Sequence, residues 1–77
     1  MSIQSILFDR NIYSLSEAKK WIKDHGYKES FNGKDVDIKP RHYRFRQLEP
    51  NSVYKYRTKS LSHGIKFIIE YKYEKKK

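Results

Sequence analysis

The chain has 77 residues, no cysteine and a formal net charge of +9, material for one domain with a modest core. Without Cys, neither a disulfide framework nor a thiolate metal site can staple so small a core. The longest apolar runs, Ile6-Leu7-Phe8 and Phe67-Ile68-Ile69, are three residues each, far short of the ~20 needed for a membrane span, and no secretory signal pattern opens the chain.

Ile3 to Asp9 reads as a first strand, and its Ile6-Leu7-Phe8 run points to burial on both faces and a central position. Ser14-Leu15-Ser16-Glu17 is a capping box that opens a helix. Leu15, Ala18 and Ile22 form the apolar stripe of that helix, with Trp21 at its edge and Lys19, Lys20 and Lys23 toward solvent. Gly26, after His25, is placed to stop the helix in a left-handed conformation, with Tyr27 packing back across the end. Residues 28–40 read as a polar loop, and the flanks of the Asn32-Gly33 turn are placed to pair briefly as a hairpin. Arg41 to Leu48 reads as the second strand, ended by Glu49-Pro50-Asn51-Ser52. Val53 to Leu61 alternates and so favours a strand, with a short helical turn after Ser52 as the alternative. His63-Gly64 is a turn. Ile65 to Tyr73 is then a third strand, with Ile65, Phe67, Ile69, Tyr71 and Tyr73 on one face.

These elements assemble as an α+β fold, a single helix packed on a small, mostly antiparallel sheet of three to four strands. The strands lie near 3–9, 41–48 and 65–73, with 53–59 as the fourth. Tyr43, Phe45, Phe67 and Ile69 line the helix side, while Arg44, Arg46, Lys66 and Lys72 share the open face with Ile68. Residues 1–74 form one domain and 75–77 a basic tail. Aromatic side chains make up 16% of the residues, which supplies a dense small core and argues against full disorder.

The charge is unevenly placed. Residues 1–38 carry six basic and six acidic side chains, whereas residues 39–77 carry twelve Lys/Arg against Glu49, Glu70 and Glu74. In Arg41-His42-Tyr43-Arg44-Phe45-Arg46 and Tyr54-Lys55-Tyr56-Arg57 the cations alternate with rings. In an extended chain, alternation puts the cations on one face and the rings on the other. One face then builds a core while its reverse presents a positive surface to a polyanion.

The ordered set Ile3-Gln4-Ser5-Ile6-Leu7-Phe8-Asp9, Ser14 to Ile22, His25-Gly26-Tyr27, Tyr43-Arg44-Phe45-Arg46-Gln47, Arg57-Thr58-Lys59 and Gly64-Ile65-Lys66 resembles a small module of tailed-phage structural or head-protease gene products and of large DNA viruses. The resemblance spans roughly residues 3–69 and implies a viral or phage setting: host cytoplasm, nucleus or virion. It brings no catalytic residues. The Lys-rich tail and the Asp35-Val36-Asp37 loop depart from its pattern.

The candidate nucleic-acid contacts are Arg41, Arg44, Arg46, Lys55, Arg57, Lys59 and Lys66, each able to neutralise a phosphate. Arg44 and Arg46 offer planar forks suited to phosphate oxygens or a guanine edge. Tyr43, Tyr54, Tyr56, Tyr71 and Tyr73 are candidates for stacking unpaired bases, Tyr54 and Tyr56 first because their segment is least committed. Against these stand plainer roles: a solvated sheet face, tyrosines that simply fill the core, and Arg46 or Arg57 paired with Asp9, Glu49 or Glu70. Trp21 closes the helix–sheet seam or, if exposed, anchors a partner. His25, His42 and His63 lack metal-site spacing, and no carboxylate pair, nucleophile motif or phosphate loop points to catalysis. The reading is therefore a viral-type nucleic-acid-binding protein, DNA ahead of RNA, without enzymatic activity, cofactor, metal or membrane. The alternative is a virion structural or adaptor protein that binds another protein or forms a homodimer.

Overall fold

The computed structural model describes residues 2–49 and 53–72, without the side chain of Lys72. The 50–52 turn, Tyr73, the domain boundary at 74 and the tail at 75–77 lie outside the described residues. The elements run β1 (Ser2–Asp9), α1 (Leu15–Asp24), β2 (Asp37–Ile38), β3 (His42–Arg46), β4 (Tyr54–Ser62) and β5 (Ile65–Lys72). Their antiparallel pairings build a sheet in the order β2-β3-β1-β5-β4. The α+β class stands, but the sheet has five strands rather than three or four. The additional one is β2, in which Asp37 and Ile38 pair with Arg44 and Tyr43. Two residues carry no periodicity to read, so this pairing is set by tertiary context alone. Within 53–61, where alternation favours a strand over a helical turn, the chain is indeed extended, as β4 from Tyr54 to Ser62.

The apolar run of β1 does place it at the centre of the sheet. Ile6 sits between Phe45 and Phe67, and Phe8 between Tyr43 and Ile65. These side chains point to the helix side, where Ala18 and Ile22 of α1 close over them. Among the described residues, Ile6, Phe8, Ala18, Ile22, Phe45 and Ile65 are the fully buried apolar ones. Phe8 is the hub: the rings of Tyr13, Trp21 and Phe45 meet it edge-on at 5.3, 5.6 and 5.5 Å, the geometry that ring quadrupoles favour. The reverse face of β1 stays more open, because Leu7 is only half-buried.

The helix begins where the sequence signal puts it. Ser14 Oγ accepts from the Glu17 backbone N–H at 3.2 Å, and Ser14 N–H donates to Glu17 Oε1 at 2.8 Å. Gly26 ends it at φ +76°; Tyr27 N–H then donates to the Ile22 carbonyl at 2.9 Å, and the Tyr27 ring lies parallel to Trp21 at 5.9 Å. Ser14→Ala is expected to cost about 1 kcal/mol, read as a lower urea midpoint at unchanged slope. The Ser14 backbone N–H, and secondarily its hydroxyl, hold the Glu17 carboxyl below its ordinary range. A folded-state pKa below the unfolded one gives stability that is complete above the unfolded value and is lost as pH falls through the folded value. The stability advantage of wild type over Glu17→Gln should therefore exist at neutral pH and disappear in acid. An advantage that does not change with pH would refute this account.

Two β-bulges interrupt the ladder. In β1 the extra residue is Gln4, between the Ile3/Ile69 and Ser5/Ile68 pairs. Its buried side chain is bonded at both polar atoms: Nε2 donates to the Leu48 carbonyl at 2.9 Å, and Oε1 accepts from Ser5 Oγ and from Arg44 Nη2. In β4 the extra residue is Leu61, between the Ser60/Lys66 and Ser62/Ile65 pairs. The turn that follows needs Gly64, which sits at φ +83° with Ile12 and Tyr13 side chains 3.0–3.2 Å from where a Cβ would lie. Among the described residues, no helix is long and apolar enough to cross a membrane.

Candidate nucleic-acid interface

β3 and β4 both alternate cations with rings, but in opposite phase relative to the helix. In β3 the alternation follows expectation. Tyr43 and Phe45 pair with Phe8 and Ile6 on the helix side, so Arg44 and Arg46 share the helix-free face with Leu7, Lys66 and Ile68. In β4 it is reversed. Tyr54 and Tyr56 lie on the helix-free face, Tyr56 opposite Glu70. Lys55, Arg57 and Lys59 lie on the helix side, opposite Tyr71, Ile69 and Phe67. The expectation that the cations of both stretches share one face, with their rings on the core side, is therefore corrected.

The cause is the Leu61 bulge. With the hairpin closed at Ser62/Ile65 and Leu61 paired with Lys66, Lys59 would oppose Ile68 and Arg57 would oppose Glu70. Leaving Leu61 unpaired shifts the register by one and so puts every side chain of the strand on the other face.

The helix-free face turns out to be charge-compensated. Among its described strand side chains, Arg44, Arg46 and Lys66 face Asp9, Asp37 and Glu70. Arg44 is half-buried across the β1 bulge, with Nε donating to Ser5 Oγ at 3.0 Å and Nη2 to Gln4 Oε1 at 3.2 Å. Arg46 Nε pairs with Asp37 Oδ2 at 3.2 Å, both side chains about two-thirds buried. The partner is thus Asp37, from the strand that sequence reasoning missed, rather than Asp9, Glu49 or Glu70. Tyr56 Oη donates to Glu70 Oε1 at 3.2 Å. Arg41 and Lys66 are exposed and line a groove of about 530 Å³ together with Asp9, His42 and His63.

The helix-side row differs in kind. Among the described residues, no carboxylate comes within ion-pairing distance of Arg57 or Lys59. Arg57 instead lies over the Tyr71 ring, 5.3 Å from its centroid. Arg57, Thr58, Lys59, Ile69 and Tyr71 line a groove of about 590 Å³. A smaller hollow of about 190 Å³ adjoins it through Lys59 and Ile69, and extends to Ile3, Leu61 and Phe67. At that end the rings of Trp21 and Tyr27 meet Phe67 at 6.4 and 6.0 Å, so Trp21 does close the helix–sheet seam. Two of the three lysines of α1 are paired elsewhere: Lys20 with Asp24 at 2.9 Å and Lys19 with Asp35 at 3.5 Å. The Asp35 carboxyl is held below its ordinary range mainly by the Val36 N–H, with Lys19 adding to it.

The predicted cations therefore divide into three groups: Arg44 and Arg46 tied into the sheet, Arg41 and Lys66 at the groove on the helix-free face, and Lys55, Arg57 and Lys59 along β4, while Tyr54 and Tyr56 lie on the helix-free face away from that row. Ile69, which floors the β4 groove together with Tyr71, is the residue that sequence reasoning did not single out as a site. The alternation of both in β5 was visible, but the phase of β4 against them was not. Comparison of the chain with protein-family models, curated proteins and solved structures finds no match.

Proposed function

We propose that the protein binds nucleic acid without catalysis, by phosphate neutralisation along the β4 row of Lys55, Arg57 and Lys59. The observation that carries this reading is the contrast between the two faces. The guanidiniums of Arg44 and Arg46 are held by internal partners, while Arg57 and Lys59 face a groove with no carboxylate across it among the described residues. Cations arranged this way gain by replacing the counterions of a polyanion, and the affinity falls with salt. A viral or phage setting, with DNA ahead of RNA, belongs to the same proposal and rests on the resemblance of residues 3–69.

The test is fluorescence anisotropy with labelled oligonucleotides across a salt series. Wild type should bind at low salt, with log affinity falling linearly against log salt. Arg57→Glu/Lys59→Glu should weaken binding and reduce the slope by about 1.4, or about 0.7 for each phosphate contact on a single strand. Absence of wild-type binding at the lowest salt would overturn the proposal.

One observation favours a second reading, a protein partner. β4 is a nine-residue strand at the edge of the sheet, and its outer backbone groups offer a template for an added strand. A second copy is a poor candidate for that place. Antiparallel pairing about Arg57 would set Lys55 against Lys59 and Arg57 against its own equivalent, and like charges directly opposite are destabilising.

A further inference from the structure

Resting on the nucleic-acid reading, we infer that the β4 row recognises single strands rather than duplexes, with phosphates held on β4 and bases laid on β5. The register builds two parallel lanes. Each cation of β4 has an apolar or aromatic residue directly opposite: Lys55 faces Tyr71, Arg57 faces Ile69, and Lys59 faces Phe67. Cations on one face of a strand recur about every 6.7 Å, and the lane beside them lies about 4.8 Å away. A straight row of this kind follows an extended chain, one cation to a nucleotide.

The second lane discriminates. Ile69 and Tyr71 are half-buried, and the groove above them is open. A duplex keeps its bases stacked inside and presents only its backbone to such a surface. A single strand has bases free to lie on apolar and aromatic side chains. Arg57 lies over the Tyr71 ring, so a base that takes that ring face displaces the guanidinium toward the base's own phosphate. The lane closes where Trp21 and Tyr27 pack on Phe67. The site is therefore short, and α1 marks its end.

The experiment compares four labelled probes with the full chain at one low salt concentration: single-stranded DNA, single-stranded RNA, the DNA duplex of the same sequence, and an abasic oligomer with an unbroken phosphate backbone. One of the two single strands should bind at least about tenfold tighter than both the duplex and the abasic oligomer, the scale of one or two stacked bases. Whichever of DNA or RNA binds tighter names the source. Tyr71→Leu keeps the lane apolar and should remove most of that preference while leaving duplex binding unchanged. Should that variant fail to fold, photocrosslinking of a halogenated base to Tyr71 in wild type, located by mass spectrometry, reads the same contact. Duplex or abasic oligomer binding as tightly as the single strands would overturn the inference and leave phosphate binding standing. No binding to any probe would overturn both.

Discussion

Phe8→Ala is expected to remove most of the stability of the domain. The Phe8 side chain is fully buried and is met edge-on by the rings of Tyr13, Trp21 and Phe45. Truncating a buried phenylalanine costs roughly 3–5 kcal/mol, because the cavity left behind adds to the lost transfer energy. At ~0.05–0.15 kcal/mol per residue, a chain of this length has roughly 4–11 kcal/mol in total. Among the described residues the fully buried apolar set is six, one of them Ala18, so few neighbours can collapse into the gap. Trp21 lies 5.6 Å from Phe8, which makes its fluorescence a direct reporter of the core during urea unfolding. The variant should show a strongly lowered midpoint or no native baseline. A midpoint within the range of an ordinary surface substitution, about 0.5 kcal/mol, would mean that Phe8 is not the hub described.

Much of this frame is legible in the residues because its signals are local. The capping box at Ser14 and Glu17, the stop at Gly26 and the stripe of Ala18 and Ile22 each depend on neighbours within a turn or two, and each lands where the pattern puts it. The type of turn at Asn32-Gly33 is legible for the same reason: both residues have positive φ, and Phe31 and Lys34 bridge across them. The faces of β3 and β5 follow from simple alternation against a buried core. What was not legible depends on contacts between distant segments. β2 exists only because Asp37 and Ile38 meet β3, and through it Arg46 acquires the carboxylate that takes it out of the free positive surface. Arg44 is likewise absorbed by the Gln4 bulge. The position of the interface shifted for one reason above all, the extra residue in β4.

That residue permits a test in which net charge is held constant and only geometry changes. Inserting one serine between Ser60 and Leu61 is expected to carry the cationic row from one face of the sheet to the other. The hairpin is fixed at its turn by Ser62/Ile65 pairing and by Gly64, whose carbonyl accepts from Asp9 N–H at 2.8 Å. With Leu61 still unpaired, the inserted serine takes the place opposite Lys66, and the ladder continues as Ser60/Phe67, Lys59/Ile68, Thr58/Ile69, Arg57/Glu70 and Tyr56/Tyr71. Arg57 then lies opposite a carboxylate, Tyr56 takes its place on the apolar lane, and the cations leave the groove over Ile69 and Tyr71. The shifted register is also the one in which rings face the core side, so the strand has a well-formed alternative to adopt. Ser60 and Leu61 are both exposed, so the insertion enters at the surface and takes nothing out of the core. Nucleic-acid affinity should fall and the salt slope should drop by up to about 2, the contribution of three lost contacts on a single strand. Adding Arg57→Glu/Lys59→Glu to the insertion should then change affinity far less than it does in wild type, because the two changes remove the same contacts. If the folded insertion variant, its Arg57/Glu70 pairing read from cross-strand NOEs, binds as wild type does, the net charge of the second half carries the binding, and the row along β4 is not the site.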